Sequence, residues 1–316
     1  MESQNYLRWT AIARVLFGVV LLGALFYYVN PVSVLPFLKQ IQPVWILATS
    51  GVIVLATLIG ATNLYLLFGD NRNLKFGEFL PLYWTSWAVG LVVPGQVGDL
   101  ASITTLLHRR GHVWQVVLSR SLLDKLISSV VLLTIALIGI ARWVAVDILV
   151  WFVLALLASG IAGIYLAIRL RKYAKRSVGL VARALRFLDS LRQQVWECCS
   201  QLPQRVALNF FLTVVKTGLI GASYWSVFRA LGYADIPLLQ VIPLVAASSL
   251  VAYLPVSFNG IGTVEAAGLI LFSSLKIADP AVLTAYLLLR ANVMILAWLP
   301  AAVWFLRPKP ANSSFR

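Results

Sequence analysis

The sequence predicts an all-α integral membrane protein with about six spanning helices and two re-entrant hairpins of opposite entry. This is an inverted-repeat-like arrangement with both termini cytoplasmic. Three observations predict it. Hydrophobic residues make up 60% of the chain, charged residues only 12%, and the mean hydropathy is +0.88, a composition foreign to soluble domains. Long apolar runs recur from end to end, so 1–316 reads as a single polytopic membrane domain. Two of those runs are interrupted, at Val93-Pro94-Gly95-Gln96-Val97-Gly98-Asp99 and at Leu254-Pro255-Val256-Ser257-Phe258-Asn259-Gly260-Ile261-Gly262-Thr263-Val264-Glu265. Each carries an acid just past the break. Lipid cannot solvate freed backbone N–H and C=O groups, so such breaks survive only where protein buries them or water reaches them. A matched pair of interrupted segments points to a binding site or pathway.

Helix boundaries follow from run length and the positive-inside bias. Arg8 and Arg14 hold the N-terminus inside, and the run 10–29 exits as the first span. No small-residue cleavage site follows Tyr27-Tyr28-Val29-Asn30-Pro31, so the run reads as an uncleaved helix rather than a signal peptide. A loop over 30–43 leads to the second span, 44–69, which returns to Arg72 and Lys75. The next piece, 79–93, covers about 22 Å at 1.5 Å per residue, short of the roughly 30 Å hydrocarbon core. With the short piece 99–107 and His108-Arg109-Arg110 beyond it, the unit 79–108 forms a hairpin entering and leaving on the cytoplasmic side. Spans three, four and five occupy 114–140, 148–168 and 206–231. The last run, 281–306, must return to Arg307, Lys309 and Arg316, so 238–276 begins and ends outside and forms the second hairpin.

The net charge of +15 sits mainly in short segments flanking apolar runs, with nine of the 26 basic residues in 169–205. That placement suits an anionic cytoplasmic leaflet and the plasma (inner) membrane. No aromatic-interleaved basic motif points to nucleic acid. Within the basic segment, Val178, Val181, Leu185, Leu188, Leu191 and Val195 recur at helical spacing, with Arg183, Arg186 and Arg192 between them. Two readings fit: an amphipathic helix on the inner leaflet, or a connecting helix packed on the bundle. Cys198 and Cys199 are vicinal and build no disulfide framework. His108 and His112 have no third ligand nearby, so neither a metal nor another cofactor is expected.

Ionisable residues inside spanning segments are costly and mark interior or water-contacting positions. They are Asp99, Arg120, Asp124, Lys125, Lys216, Glu265 and Arg290. Arg120 and Asp124, four apart on span three, can pair along one face, while Arg120 and Lys125 are near enough to its cytoplasmic end to snorkel. Lys216 and Arg290 lie about 14 Å deep at 1.5 Å per residue, with Asp99 and Glu265 as their expected partners. The helix starting after each break presents N–H groups and a positive dipole end, which favours an anion and stabilises a carboxylate in the first turn. Two readings stand: a polar cavity receiving a charged headgroup, or structural ion pairs locking hairpins to helices.

These broken motifs, together with Arg290 and the Asp124-Lys125 pair, resemble the flippase-like transmembrane region of the lysylphosphatidylglycerol synthase family, which includes stand-alone members. The first motif matches through Pro94, Gly95 and Gly98, with Asp99 in place of Glu. The second matches through Leu254, Pro255, Gly260, Gly262 and Glu265, with Asn259 replacing one Gly. Ser102 and Thr263 stand where relatives often carry Arg. No lysyl-transfer domain is visible, so synthase activity is not carried over. The resemblance implies a transporter moving an anionic lipid or a lipid-linked sugar between leaflets. No Gly-x-x-x-x-Gly-Lys-Ser/Thr loop for ATP is present. The competing classes are a membrane transferase acting on a lipid-linked substrate and a non-transporting partner of a lipid-synthesis enzyme.

Overall fold

Proline sets where two of the long helices begin. A computed structural model describes residues 2–68, 74–93, 98–140, 180–252 and 257–306. In it, α3 (Pro43–Leu67) and α8 (Pro203–Ala230) both carry proline in the first turn, where the missing N–H has no intrahelical partner to lose. The remaining helices are α1 (Glu2–Val29), α2 (Pro31–Lys39), α4 (Phe76–Gly90), α5 (Gly98–His108), α6 (Trp114–Ile140), α7 (Leu180–Gln201), α9 (Leu238–Val251), α10 (Thr263–Phe272) and α11 (Asp279–Leu306). Among the described residues four helices, α3, α6, α8 and α11, are long and apolar enough to cross a membrane, or five counting the bent pair α1/α2. The expected span 148–168 and the first part of the basic segment lie outside the described residues.

The expected loop over 30–43 is in part a helix. Asn30 adopts a left-handed backbone (φ 63°) and its side chain accepts the Val32 N–H, so it caps α2 with Pro31 at the first helical position. The chain bends by 79° there.

The same order of elements occurs twice: long helix, short helix containing a proline, break, short helix, long helix. The first set is α3, α4, α5, α6, with Pro81 inside α4. The second is α8, α9, α10, α11, with Pro243 inside α9. The leading helices α3 and α8 pack against each other extensively and run antiparallel. Gln42 and Trp45, at the start of α3, meet Ala230 and Trp225 near the end of α8. Asn63, near the end of α3, meets Asn209 and Thr213 near the start of α8.

Within the first set, α4 and α5 lie side by side in opposite directions. Gly90 abuts Asp99, so that an added Cβ would stand 2.9 Å from the Asp99 Cβ. At the other end the Arg110 guanidinium reaches the Glu78 carbonyl (3.4 Å). Each set has its own apolar core, one around Phe79, Leu82, Ile103 and Leu107, the other around Phe228, Phe272, Val282 and Tyr286. The sets also clasp each other. Ala88 on α4 packs on Ala297 and Ala301 of α11, and Ala246 and Ala247 on α9 pack on Ala136 of α6. Small residues let helix backbones approach closely where lipid offers no hydrophobic drive. In α11, Pro300 cannot bond the Leu296 carbonyl, and the Trp84 indole N–H of α4 donates to it instead (3.0 Å).

Helix α7 packs on the bundle, with Val195 and Cys198 half-buried or buried beside Leu67, Leu123 and Ile127, and Leu191 buried as well. Its Leu188 and Trp196 stay exposed. The described part of this segment thus packs on the bundle and leaves apolar side chains on its outer face.

Candidate functional site

The two breaks meet. Asn259, in the second, donates from Nδ2 to the carbonyl of Leu91, the C-cap residue of α4 (2.9 Å). Asn259, Gly260 and Gly262 all adopt positive φ (47°, 70° and 79°). That backbone suits glycine and is tolerated by asparagine, so Asn in place of a motif Gly keeps the turn and adds an amide that reaches the end of α4. Gly262 also lies under α1, where an added Cβ would come within 2.9 Å of the Gly18 carbonyl oxygen. Of the predicted break residues, Pro94, Gly95 and Pro255 lie outside the described residues, whereas Gly98, Gly260 and Gly262 are placed at the tips.

Each acid caps the short helix behind its break and holds a cation from the long helix that follows. Asp99 accepts the Leu100 N–H on Oδ1 (2.8 Å) and the Lys125 ammonium on Oδ2 (2.7 Å). Glu265 accepts the Gly262 N–H on Oε2 (2.7 Å), and its Oε1 takes Arg290 Nε (2.9 Å) and Nη2 (2.7 Å). Arg290 spends its remaining Nη1 on the Asn259 carbonyl (3.4 Å). Pairing partners stand 26 and 25 residues apart, so the two arrangements correspond across the repeat. They differ in exposure. The Glu265 side chain is 1% exposed, against 34% for Asp99.

Three expectations about charge are corrected. Lys216 does not pair with Asp99. That carboxylate is taken by Lys125, which therefore does not snorkel, and among the described residues Lys216 reaches the Ser128 hydroxyl alone, at 3.5 Å. Arg120 and Asp124 do not pair either. The Arg120 guanidinium lies over the Phe68 ring, 5.6 Å from its centroid, and Asp124 Oδ1 accepts Asn209 Nδ2 (2.9 Å). The physical reason is rotation. The α6 face carrying Ser121, Asp124, Lys125 and Ser128 looks into the bundle, and Arg120 falls beside it. The expected Glu265–Arg290 pair is present.

Sequence reasoning missed a polar network joining α3, α6 and α8. Asn209 bridges Asp124 and the Asn63 carbonyl, and Asn63 Nδ2 donates to Thr213 Oγ1 (2.9 Å). All three of Asn63, Asn209 and Thr213 are fully buried. Asparagine amid an apolar run was the available signal.

These groups surround a cavity of about 420 Å³, within the usual range for small-molecule sites. Asp99, Asp124, Lys125, Lys216, Asn259 and Arg290 line it, with Tyr83, Trp87, Ser121, Ser128 and Tyr224. Glu265 lines an adjoining cavity of about 140 Å³. Among the described residues no group of three His, Cys, Asp or Glu side chains is placed to hold a metal ion.

A charged cavity enclosed by apolar helices of spanning length defines a polytopic α-helical membrane protein with an intramembrane polar site. Residues 11–301 match the model of the lysylphosphatidylglycerol synthase TM region, and the chain belongs to that family. Comparison with curated proteins gives no match. Membership is consistent with a membrane lipid-related role.

Proposed function

We propose that the protein is a flippase-like transporter that passes a phospholipid or lipid-linked headgroup between leaflets through this cavity, without catalysis of its own. The observation that carries the reading is the meeting of both hairpin tips over a cavity lined by charges from both halves of the chain. Intramembrane charges and irregular backbone are tolerated where they line a polar path. The antiparallel α3/α8 pair supports hairpins of opposite entry, the geometry on which alternating access is built. Positive-inside counting supports a plasma-membrane protein with cytoplasmic termini.

Proteoliposomes with acyl-labelled lipid test this by dithionite accessibility. Exchange should fall in Asp99→Asn, Glu265→Gln and Arg290→Ala protein that elutes as a single species. Undiminished exchange in all three variants would sink the proposal. Single-cysteine labelling over 91–108 and 250–270 tests entry, and labelling of both stretches from one side would overturn opposed hairpins.

A further inference from the structure

We infer that the cavity takes a zwitterionic headgroup with one phosphodiester and one primary ammonium, the phosphate at Lys216 and the ammonium at Asp124. The inference rests on the reading of the cavity as a lipid-headgroup site. Its starting point is which charges are already used. Arg290 is engaged at Nε, Nη1 and Nη2, and both Glu265 oxygens are bonded. Lys125 and Asp99 hold each other at 2.7 Å, and the second Asp99 oxygen takes a backbone N–H. Those four charges are neutralised in pairs inside the protein, although Lys125 keeps N–H donors beyond the one given to Asp99.

Lys216 and Asp124 differ. Among the described residues neither forms an ion pair; each faces a neutral neighbour, Ser128 for the lysine and Asn209 for the carboxylate. An unpaired charge within a membrane bundle is expensive to keep, and here one of each sign lines the same cavity. The Ser128 hydroxyl that Lys216 meets keeps its own O–H to donate. Tyr83 and Lys216 pack on the same residue, Gly60, whose missing side chain makes room for the phenol and the lysine stem. Tyr83 lines the cavity, and the buried Ser121 hydroxyl, on the Asp124 side of the same α6 face, has no hydrogen-bond partner among the described residues. One ammonium with nearby hydroxyls is donor chemistry for a phosphate of single charge. Asp124 has an unused oxygen and suits an N–H donor.

The contacts also fix the spacing. Asn209 bonds Asp124 while Lys216 meets Ser128, about one turn further along α6 and two turns further along α8. The backbone positions that carry the two charges are therefore offset by roughly 6–10 Å along the helices, a spacing that an ammonium–ethyl–phosphate unit can bridge with a charge-assisted hydrogen bond of about 2.8 Å at each end. Discrimination follows from what the wrong ligand leaves exposed. A purely anionic phosphoglycerol head sets its phosphate in a site that still contains an unanswered carboxylate. A neutral sugar head leaves both charges unanswered.

The test measures binding of dihexanoyl phosphatidylethanolamine, dihexanoyl phosphatidylglycerol and a short-chain glucosyl diacylglycerol to the detergent-solubilised full chain by calorimetry. Transbilayer exchange of the corresponding acyl-labelled lipids is measured in parallel. Phosphatidylethanolamine should bind on the order of tenfold tighter than the other two. Lys216→Ala and Asp124→Asn should each abolish that preference, and Lys216→Arg and Asp124→Glu should retain it. Equal or tighter binding of phosphatidylglycerol or the glycolipid overturns the inference. This ranking is read on the unaltered chain, so it decides even if a variant does not fold. Binding of phosphatidylethanolamine without exchange upholds the zwitterion site and refutes transport. Exchange that favours phosphatidylglycerol upholds transport and refutes the zwitterion site.

Discussion

Replacing Glu265 by Gln should destabilise the protein heavily, through the arginine it abandons. The carboxylate is 1% exposed and answers three donors: Arg290 Nε, Arg290 Nη2 and the Gly262 N–H. A glutamine there would keep one acceptor oxygen and place an NH2 where the other had been, donor against donor, beside a guanidinium whose side chain is only 21% exposed. Removing one partner of a buried pair costs about 3–5 kcal/mol. At about 2 °C per kcal/mol for a chain of this size, the melting temperature in detergent should fall by roughly 6–10 °C. Glu265→Gln combined with Arg290→Met removes both charges and should lose clearly less than the sum of the single variants, giving a favourable coupling energy in the double-mutant cycle. A fall of less than about 2 °C for Glu265→Gln, or additive losses in the cycle, would refute the claim that this pair locks the second hairpin to α11.

Other consequences are cheaper to measure. Gly262→Ala should cost more than about 1 kcal/mol in the same melt, because φ is +79° and the new Cβ would press on the Gly18 carbonyl and Leu21. Trp84→Phe should lose about 0.6–2 kcal/mol by orphaning the Leu296 carbonyl, and Pro300→Ala should remove most of that loss by restoring an in-helix donor. Maleimide should label Cys199 well before Cys198, since burial holds the Cys198 thiol above its ordinary 9.0 and outweighs the lowering by Arg120. Its thiolate, and with it the labelling rate, should rise only as pH approaches and passes that range. Arg120→Ala, which removes the lowering influence, should slow Cys198 further; faster labelling at unchanged melting temperature would contradict that.

Run length and flanking charge place α3, α6, α8 and α11 within a few residues, because spanning helices need apolar length and little else. The bend at Asn30 was hidden, since a capping asparagine followed by proline reads equally as a loop. Charge depth singled out residues that line the cavity, but depth cannot choose partners. Whether Asp99 meets Lys125 or Lys216 depends on the rotation of α6 against α5, and no period in one helix reports the rotation of its neighbour. The Asn63–Asn209–Asp124 network was missed for a related reason. Each asparagine is a single polar residue in an apolar run, and its meaning appears only when α3 and α8 are set side by side.

The repeat then separates frame from recognition. Asp99 with Lys125 and Glu265 with Arg290 are counterparts: a capping acid behind a break, bonded to a cation on the next long helix. Lys216 and Asp124, which form no ion pair among the described residues, have no counterparts. With Lys125 aligned on Arg290, Asp124 falls on Leu289. With the first-turn prolines of α3 and α8 aligned, Lys216 falls on Ala56, and Leu289 and Ala56 line the same cavity. Asp124 comes from the first half and Lys216 from the second, so the cavity carries opposite charges on walls that a strict duplication would have made alike. Two equivalent halves can supply hairpins, caps and locking ion pairs twice over. A lipid headgroup with two chemically different ends has to be read where the halves differ.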